Sequence, residues 1–139
     1  MCGIAGWVNY DGDLGSHQDV ITRMARTMAR RGPDAGGVWI DRHVGFGHRR
    51  LAVIDLAGGV QPMQAEELGQ TTVSLIYTGE VYNFVELRDQ LEQLGHQFKT
   101  RSDTEVVLRD TCNGATRLRN VLTVCSPSRS GTSEPKNCS

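Results

Sequence analysis

The chain has 139 residues, with 15 basic and 16 acidic side chains and a formal net charge of -1. This length allows one modest domain with a real core, and the balanced charge gives no electrostatic reason to expect nucleic acid or an anionic membrane as a partner. No apolar run approaches the roughly 20 residues of a membrane-spanning helix, and no basic leader precedes a cleavage signature, so we expect a cytoplasmic protein.

The first part of the chain alternates apolar runs with turn signals, which indicates strands around one helix. Ser16 is placed to cap that helix, and Gly32 and Pro33 are placed to end it. The predicted elements are a buried strand at residues 3–9, an amphipathic helix at about 17–30, and two strands at 36–40 and 44–56 joined by a turn at 41–43.

After a polar loop, the sequence predicts one more strand and two helices. Two capping boxes mark the helix starts, Asn83 with Glu86 and Ser102 with Glu105, and Gly95 ends the first of the two helices. The predicted elements are a strand at 73–77, a helix at about 84–94, a short extended segment at 98–100, and a helix from 103 that carries Val106, Val107 and Leu108.

The apolar pattern of the last helix stops at residue 110. Residues 110–139 are rich in serine and threonine, and we predict that they are disordered. An apolar stripe inside this tail is too short to hold a helix without a partner surface. The stripe would place Leu118, Val121, Leu122 and Cys125 on two helical turns.

The four cysteines, Cys2, Cys112, Cys125 and Cys138, include no CxxC pair, and the four histidines are scattered. Neither residue type has the spacing of zinc ligands. We therefore expect no metal site in this chain.

Five short stretches are hard to explain by packing alone: MCGIAGW at 1–7, RRGPDAGG at 30–37, GHRRLAVIDL at 47–56, YTGEVYNF at 77–84 and SDTEVVL at 102–108. In this order and at these intervals they resemble the glutamine-hydrolysing domain of glutamine-dependent asparagine synthetase, a class II glutamine amidotransferase. RGPD at 31–34 and Glu80 favour that branch over the branches that make glucosamine phosphate or phosphoribosylamine.

The resemblance implies an α+β fold, the αββα sandwich of amino-terminal nucleophile hydrolases, with two antiparallel sheets between helix layers. The alternation of strands and helices is compatible with this order, although periodicity alone indicates only a mixed α and β domain. Because a complete glutaminase domain of this family is longer, we expect an incomplete version here.

Cys2 is the candidate nucleophile. Removal of Met1 would leave Cys2 with a thiol and a free α-amino group on one carbon, with reference pKa values of about 8.5 and about 8. Such an amine can activate its own side chain, directly or through one water. The resemblance implies that the thiol attacks the side-chain amide of L-glutamine, releasing ammonia and leaving a γ-glutamyl thioester that water hydrolyses. From the residues alone, an incidental terminal cysteine is the alternative.

The resemblance also assigns the substrate-binding residues. Arg50 would clamp the α-carboxylate with its bidentate fork, and strand alternation sends Arg49 to the opposite face. Glu80 and Asp103 would hold the α-ammonium, although a turn glutamate and a helix-start acid are the ordinary interpretations of these two residues. The main chain of Leu51, Ala52, Val53 and Ile54 would line the pocket.

The pair Thr78-Gly79 departs from the family's asparagine-glycine, whose side-chain amide and N–H form an oxyanion hole. Gly79 can still donate its N–H, but the threonine hydroxyl is shorter than an amide and reaches a different point. Because losing one oxyanion donor typically costs about 10² to 10³ in turnover, we expect Thr78 to lower the rate. Arg31 and Asp34 are expected to fix a turn near the pocket.

The resemblance ends at about residue 109. We therefore divide the chain into a partial glutaminase domain at 1–109 and a tail at 110–139, and interpret the tail as the product of a shifted reading frame in a truncated gene. The sequence contains neither the SGGxDS loop of the synthetase domain nor a P-loop, so ATP and magnesium are expected only in that missing domain and no cofactor is expected here.

Three functions remain open. The first is an enzyme that makes ammonia for the amidation of aspartate to asparagine by a synthetase domain. The second is an inactive remnant that at most binds glutamine. The third is a class II amidotransferase of another pathway, which RGPD and Glu80 disfavour.

Overall fold

A computed structural model describes residues 1–67, 70–112 and 121–125 of the chain. Within those ranges the strands form two three-stranded antiparallel sheets. In chain order the elements are β1 (Gly3–Val8), α1 (Gln18–Thr27), β2 (Ala35–Ile40), β3 (Val44–Arg50), β4 (Met63–Glu67), β5 (Gln70–Tyr77), α2 (Phe84–Gln93), α3 (Asp103–Cys112) and β6 (Val121–Cys125).

The first sheet has the order β1-β3-β2 and packs against α1. The central strand β3 turns two glycines toward the helix. A Cβ on Gly45 would lie 2.8 Å from Ile21, and one on Gly47 would lie 3.1 Å from Ala25. The absence of side chains at these two positions lets α1 approach the sheet closely.

The second sheet has the order β4-β5-β6 and packs against α3. Its central strand β5 alternates: Leu75 and Tyr77 join the cluster that includes Leu108 of α3, whereas Ile76 packs against Phe46 and Val44 of β3. The two sheets therefore face each other between helix layers. This confirms the predicted αββα sandwich in an incomplete form, since only three strands are described in each sheet.

The strand prediction has one wrong boundary and misses one strand. The strand predicted at 44–56 ends at Arg50, and residues 51–56 lie in a loop, because Arg50 binds the carbonyl groups of that loop. The polar loop predicted before residue 73 contains β4, which pairs Met63 with Leu75. Its exposed Gln64 and buried Ala65 alternate over too few residues to predict a strand. The extended segment predicted at 98–100 is not a strand.

The helices form at the predicted places, but the predicted caps are partly wrong. His17, not Ser16, is the N-cap residue of α1, and Asn83 precedes α2 without a capping hydrogen bond from its side chain. Ser102 does cap α3, since the Thr104 N–H donates to its Oγ at 3.1 Å. Gly95, with a φ of 93°, ends α2 as predicted.

The tail departs from the prediction in two places. The helix α3 continues past residue 109 to Cys112. The predicted helical stripe is wrong at residues 121–125, which form β6 and pair with β5, Tyr77 opposite Val121. The disorder predicted for the remaining tail falls on 113–120 and 126–139, outside the described residues. Among the helices of the described ranges, none has the length and apolarity that crossing a membrane would require.

Candidate active site

Segments from four of the five motifs, those at 1–7, 47–56, 77–84 and 102–108, meet at one pocket with a volume of about 520 Å³. This is within the usual size range of small-molecule sites, about 300 to 1,000 Å³. Its lining includes every predicted site residue except Ala52, whose N–H donates to Asp34 Oδ2 at 2.8 Å. The residues that line it are Met1, Cys2, Arg50, Leu51, Val53, Ile54, Gln61, Tyr77, Thr78, Gly79, Glu80, Tyr82, Asp103 and Thr104.

Cys2 lies at the start of β1, and the pairing of Gly3 with Arg49 brings it beside the end of β3. Its thiol donates to the Leu51 carbonyl at 3.6 Å, and the Leu51 N–H donates to the sulfur at 3.4 Å. Cys2 is half-buried and Met1 is 81 % exposed. The sulfur therefore faces the pocket from a strand end, and the residue before it is accessible to processing.

Arg50, at the end of β3, is buried, and its guanidinium holds the loop that follows. It donates to the carbonyls of Leu56 at 2.7 Å, Ile54 at 2.8 Å and Asp55 at 2.6 Å. Arg49 points to the other face and donates from Nε to the Gly32 carbonyl at 3.0 Å, so the predicted alternation is confirmed. These contacts use three of the five N–H donors of the guanidinium, including both on Nη2, and leave the Nε–H and one N–H of Nη1 for a carboxylate.

Asp55, which the sequence reasoning missed as a site residue, closes the same loop. It has a φ of 47°, a left-handed conformation that aspartate tolerates better than most residues. Its carboxylate accepts the Gly58 N–H and the Arg101 N–H, each at 2.9 Å. These two hydrogen bonds lower the pKa of Asp55, and they join the loop after β3 to the segment before α3.

The opposite side of the pocket carries negative charge. Asp103, the first residue of α3, is buried and accepts the Val81 N–H at 3.2 Å, while Glu80 is exposed in the turn after β5. Tyr77 lies near both carboxylates. Burial raises the pKa of Tyr77 to about 12, and the charges of Asp103 and Glu80 add to the shift. This end of the pocket therefore suits a cationic group.

Glu105 does not complete the predicted capping box. Its side chain instead binds the segment that precedes α3 and Asp103. Its carboxylate accepts the Lys99 N–H at 2.9 Å, the Thr100 N–H at 2.6 Å and the Thr100 hydroxyl at 2.7 Å. Arg109 contributes an ion pair at 3.6 Å. Burial acts to raise the pKa of Glu105, but these hydrogen bonds and the positive charge outweigh it and lower the pKa.

Thr78 and Gly79 lie on the pocket wall directly after β5. A Cβ on Gly79 would lie 2.6 Å from the Tyr77 hydroxyl, so any larger residue here would displace the phenol. The predicted oxyanion pair is therefore placed beside the pocket. Its catalytic role, like the roles of the other predicted site residues, stays a prediction.

Five lining residues were absent from the sequence-based site: Met1, Gln61, Tyr77, Tyr82 and Thr104. Gln61 belongs to a stretch that predicted only a loop, and Thr104 follows a helix cap. Nothing in residue type or spacing separated them from ordinary residues. Within the described part of the chain, no group of three or more histidine, cysteine or carboxylate side chains is placed to hold a metal ion.

A family model described as "Glutamine amidotransferase domain" matches residues 1–121. The chain belongs to this family. The match continues beyond residue 109, where the motifs end. It therefore takes in the end of α3.

Curated relatives agree with this assignment. Over 108 residues, 78% of this chain, it is 49% identical to "Asparagine synthetase [glutamine-hydrolyzing] 3" of Bacillus subtilis, and covers 17% of that protein. It is 43% identical to "Asparagine synthetase [glutamine-hydrolyzing] 1" of the same bacterium over 110 residues, 78% of this chain and 17% of that protein. It is 36% identical to "Asparagine synthetase [glutamine-hydrolyzing] 1" of Arabidopsis thaliana over 107 residues, 77% of this chain and 18% of the relative. The chain thus matches a small fraction of each relative's length.

Proposed function

We propose that this amidotransferase domain hydrolyses L-glutamine to glutamate and ammonia, with Cys2 as the nucleophile. The observation that carries the proposal is the single pocket in which a thiol at a strand start, a buried arginine and two carboxylates meet. Glutamine carries the complementary groups: an α-carboxylate for Arg50, an α-ammonium for Glu80 and Asp103, and a side-chain amide for Cys2.

The reaction requires that Met1 has been removed. The free α-amine of Cys2 then accepts the thiol proton, directly or through one water, and the thiolate forms a bond to the amide carbon. The negative charge moves to the amide oxygen, where the Gly79 N–H and the Thr78 hydroxyl are the candidate donors. The carbon–nitrogen bond breaks as the Cys2 ammonium returns the proton to the leaving nitrogen, which departs as ammonia. Water then cleaves the thioester to give glutamate and the free thiol.

The names of the relatives indicate the use of the ammonia, since they are glutamine-hydrolysing asparagine synthetases. We propose that the ammonia serves the ATP-dependent amidation of aspartate in a synthetase domain. ATP and magnesium would act in that domain, and a cytoplasmic location is part of the same proposal.

The decisive experiment combines mass spectrometry with an electrophilic analogue of glutamine. An active domain is expected to give one adduct, on Cys2 of chains without Met1, and excess glutamine is expected to suppress it. Cys2→Ala should abolish both labelling and glutamate release, whereas Cys112→Ala, on the exposed end of α3, should leave both unchanged.

The competing function is an inactive remnant that only binds glutamine. It predicts that labelling spreads over Cys112, Cys125 and Cys138, and that glutamine protects none of them. Retention of Met1 on most chains would likewise contradict the enzyme, because an acylated α-nitrogen cannot act as the base.

A further inference from the structure

Gln61 is a buried amide on the pocket wall, with a side chain only 5% exposed. Its Oε1 accepts the Tyr77 N–H at 2.6 Å, and its Nε2 donates to the Thr104 hydroxyl at 3.3 Å. Both ends of the amide therefore have partners, and these lie on two different elements, β5 and α3.

The sheet geometry explains why a side chain takes this position. The pairing of β4 with β5 begins at Met63 opposite Leu75, and Gln61, two residues before β4, reaches the end of β5 through its side chain. The intervening Pro62 has no N–H to offer a ladder. At the last residue of β5, the Gln61 side-chain carbonyl accepts the hydrogen bond that a paired strand would otherwise accept.

The two partners of Gln61 adjoin the two groups that must act on opposite ends of one substrate. Tyr77 directly precedes Thr78-Gly79, the candidate oxyanion pair. Thr104 directly follows Asp103, the candidate partner of the α-ammonium. A planar amide bonded at both ends therefore fixes the spacing between the amide end and the ammonium end of the pocket.

We propose that Gln61 is a positioning residue that sets this spacing and thereby selects amides of glutamine's length. The proposal rests on the function proposed above and deepens it. A small displacement of reacting groups is enough for such an effect, since about 1 Å of misplacement can cost on the order of 10² in rate.

The test compares two rates of Cys2 modification in each variant of the full chain: that by the electrophilic glutamine analogue, and that by iodoacetamide, which needs no binding pocket. Gln61→Met keeps the length of the side chain and removes both hydrogen bonds. Thr104→Val removes one bond, and Thr104→Ser keeps the hydroxyl. Gln90→Met, on the exposed face of α2, makes the same chemical change away from the pocket.

In Gln61→Met and Thr104→Val, the ratio of the two rates is expected to fall at least about tenfold, with the iodoacetamide rate changed less than about twofold. Gln90→Met should retain the ratio of the unmodified chain, and Thr104→Ser should restore most of it. In the double variant, the effects of Gln61→Met and Thr104→Val should not add, because both remove the same bond.

A folded Gln61→Met chain with an unchanged ratio would overturn the proposal. If Gln61→Met does not fold, an unchanged ratio in Thr104→Val would overturn the proposal instead, since this variant keeps the hydrogen bond between Tyr77 and Gln61. A parent chain that shows no preference for the glutamine analogue would instead refute the proposed function. In that case, hydrogen exchange still tests whether Gln61 connects the segments at 77–81 and 103–106. The proposal predicts faster exchange in both segments of Gln61→Met, and unchanged exchange in either segment would contradict it.

Discussion

The two sides of the pocket are built differently. The cysteine side consists of Cys2 and the loop at 51–56; its sulfur makes two contacts of 3.6 and 3.4 Å, and Val53 and Leu56 are 65% and 74% exposed. The acidic side begins at α3, where Asp103, Thr104 and Glu105 are 6%, 4% and 3% exposed. The cysteine side is open and bound through Arg50, whereas the α3 part of the acidic side lies in the core and Glu80 is exposed.

This difference matches the roles proposed for the two sides. A carboxylate that binds a cation has to be fixed before the ligand arrives, because ordering it afterwards would reduce affinity. A nucleophile has to remain accessible to substrate and to the water that releases glutamate. We therefore expect the loss of charged contacts at the start of α3 to lower stability, and substitutions on the cysteine side to act on the rate.

The largest expected effect on stability is at Glu105. Glu105→Gln replaces one of the two carboxylate oxygens with an amide nitrogen, and either orientation of the amide sets that nitrogen against the Lys99 N–H. Leaving this part-buried donor unpaired and removing a charged acceptor should lower the free energy of unfolding by about 3 kcal/mol. Urea denaturation followed by circular dichroism measures the change.

The matched control is Glu92→Gln on the exposed face of α2. It should change the stability by less than about 0.5 kcal/mol. Equal changes in the free energy of unfolding would mean that Glu105 does not stabilise the acidic side. The structural difference described between the two sides would then be wrong.

Glu105 also shows where sequence reasoning stops. The spacing Ser102-x-x-Glu105 predicted a capping box, and the serine does cap α3. The glutamate instead binds backbone that precedes the helix, which depends on how residues 99–100 fold back onto it. Spacing in the chain carries no information about that fold.

The same limit applies to the strands. The sequence predicted β1, the helices and the core of β5, because their apolar patterns are long enough. It missed β4, and it predicted a helical stripe at 121–125, where β6 pairs along β5. In both cases the partner strand decides the conformation, and local propensity does not. The resemblance, by contrast, predicted most of the residues that line the pocket, since its motifs reflect the family's site rather than local conformational propensity.

The second expected effect concerns His48 in β3. Its ring is fully buried, and neither ring nitrogen reaches hydrogen-bond geometry with a described residue. Burial lowers the pKa of His48 from 6.5 to about 4; the nearby Tyr77 backbone opposes the shift and the Arg50 charge adds to it. The unfolded chain therefore binds a proton near pH 6.5 that the folded chain binds only near pH 4.

The stability that His48 contributes is thus complete above pH 6.5 and is lost as the pH falls toward 4. Between pH 7.5 and pH 5 the loss should be about 2 kcal/mol. His48→Leu should remove this part of the pH dependence, measured by urea denaturation at several pH values, while His96→Leu should retain it. A His48→Leu chain whose stability falls as steeply as the parent's over this range would contradict the assignment.

The smallest expected effect is a gain, at Thr78 directly after β5. Thr78→Asn places a side-chain amide where the family has one, next to the Gly79 N–H. Because two donors are already present, we expect kcat for glutamine hydrolysis to rise by about tenfold, with little change in KM, since the oxyanion forms only in the transition state. Thr27→Asn, exposed at the end of α1, is the control and should leave kcat unchanged. An unchanged or lower kcat in Thr78→Asn would mean that the oxyanion donor does not limit the rate, and that the open placement of Cys2 does.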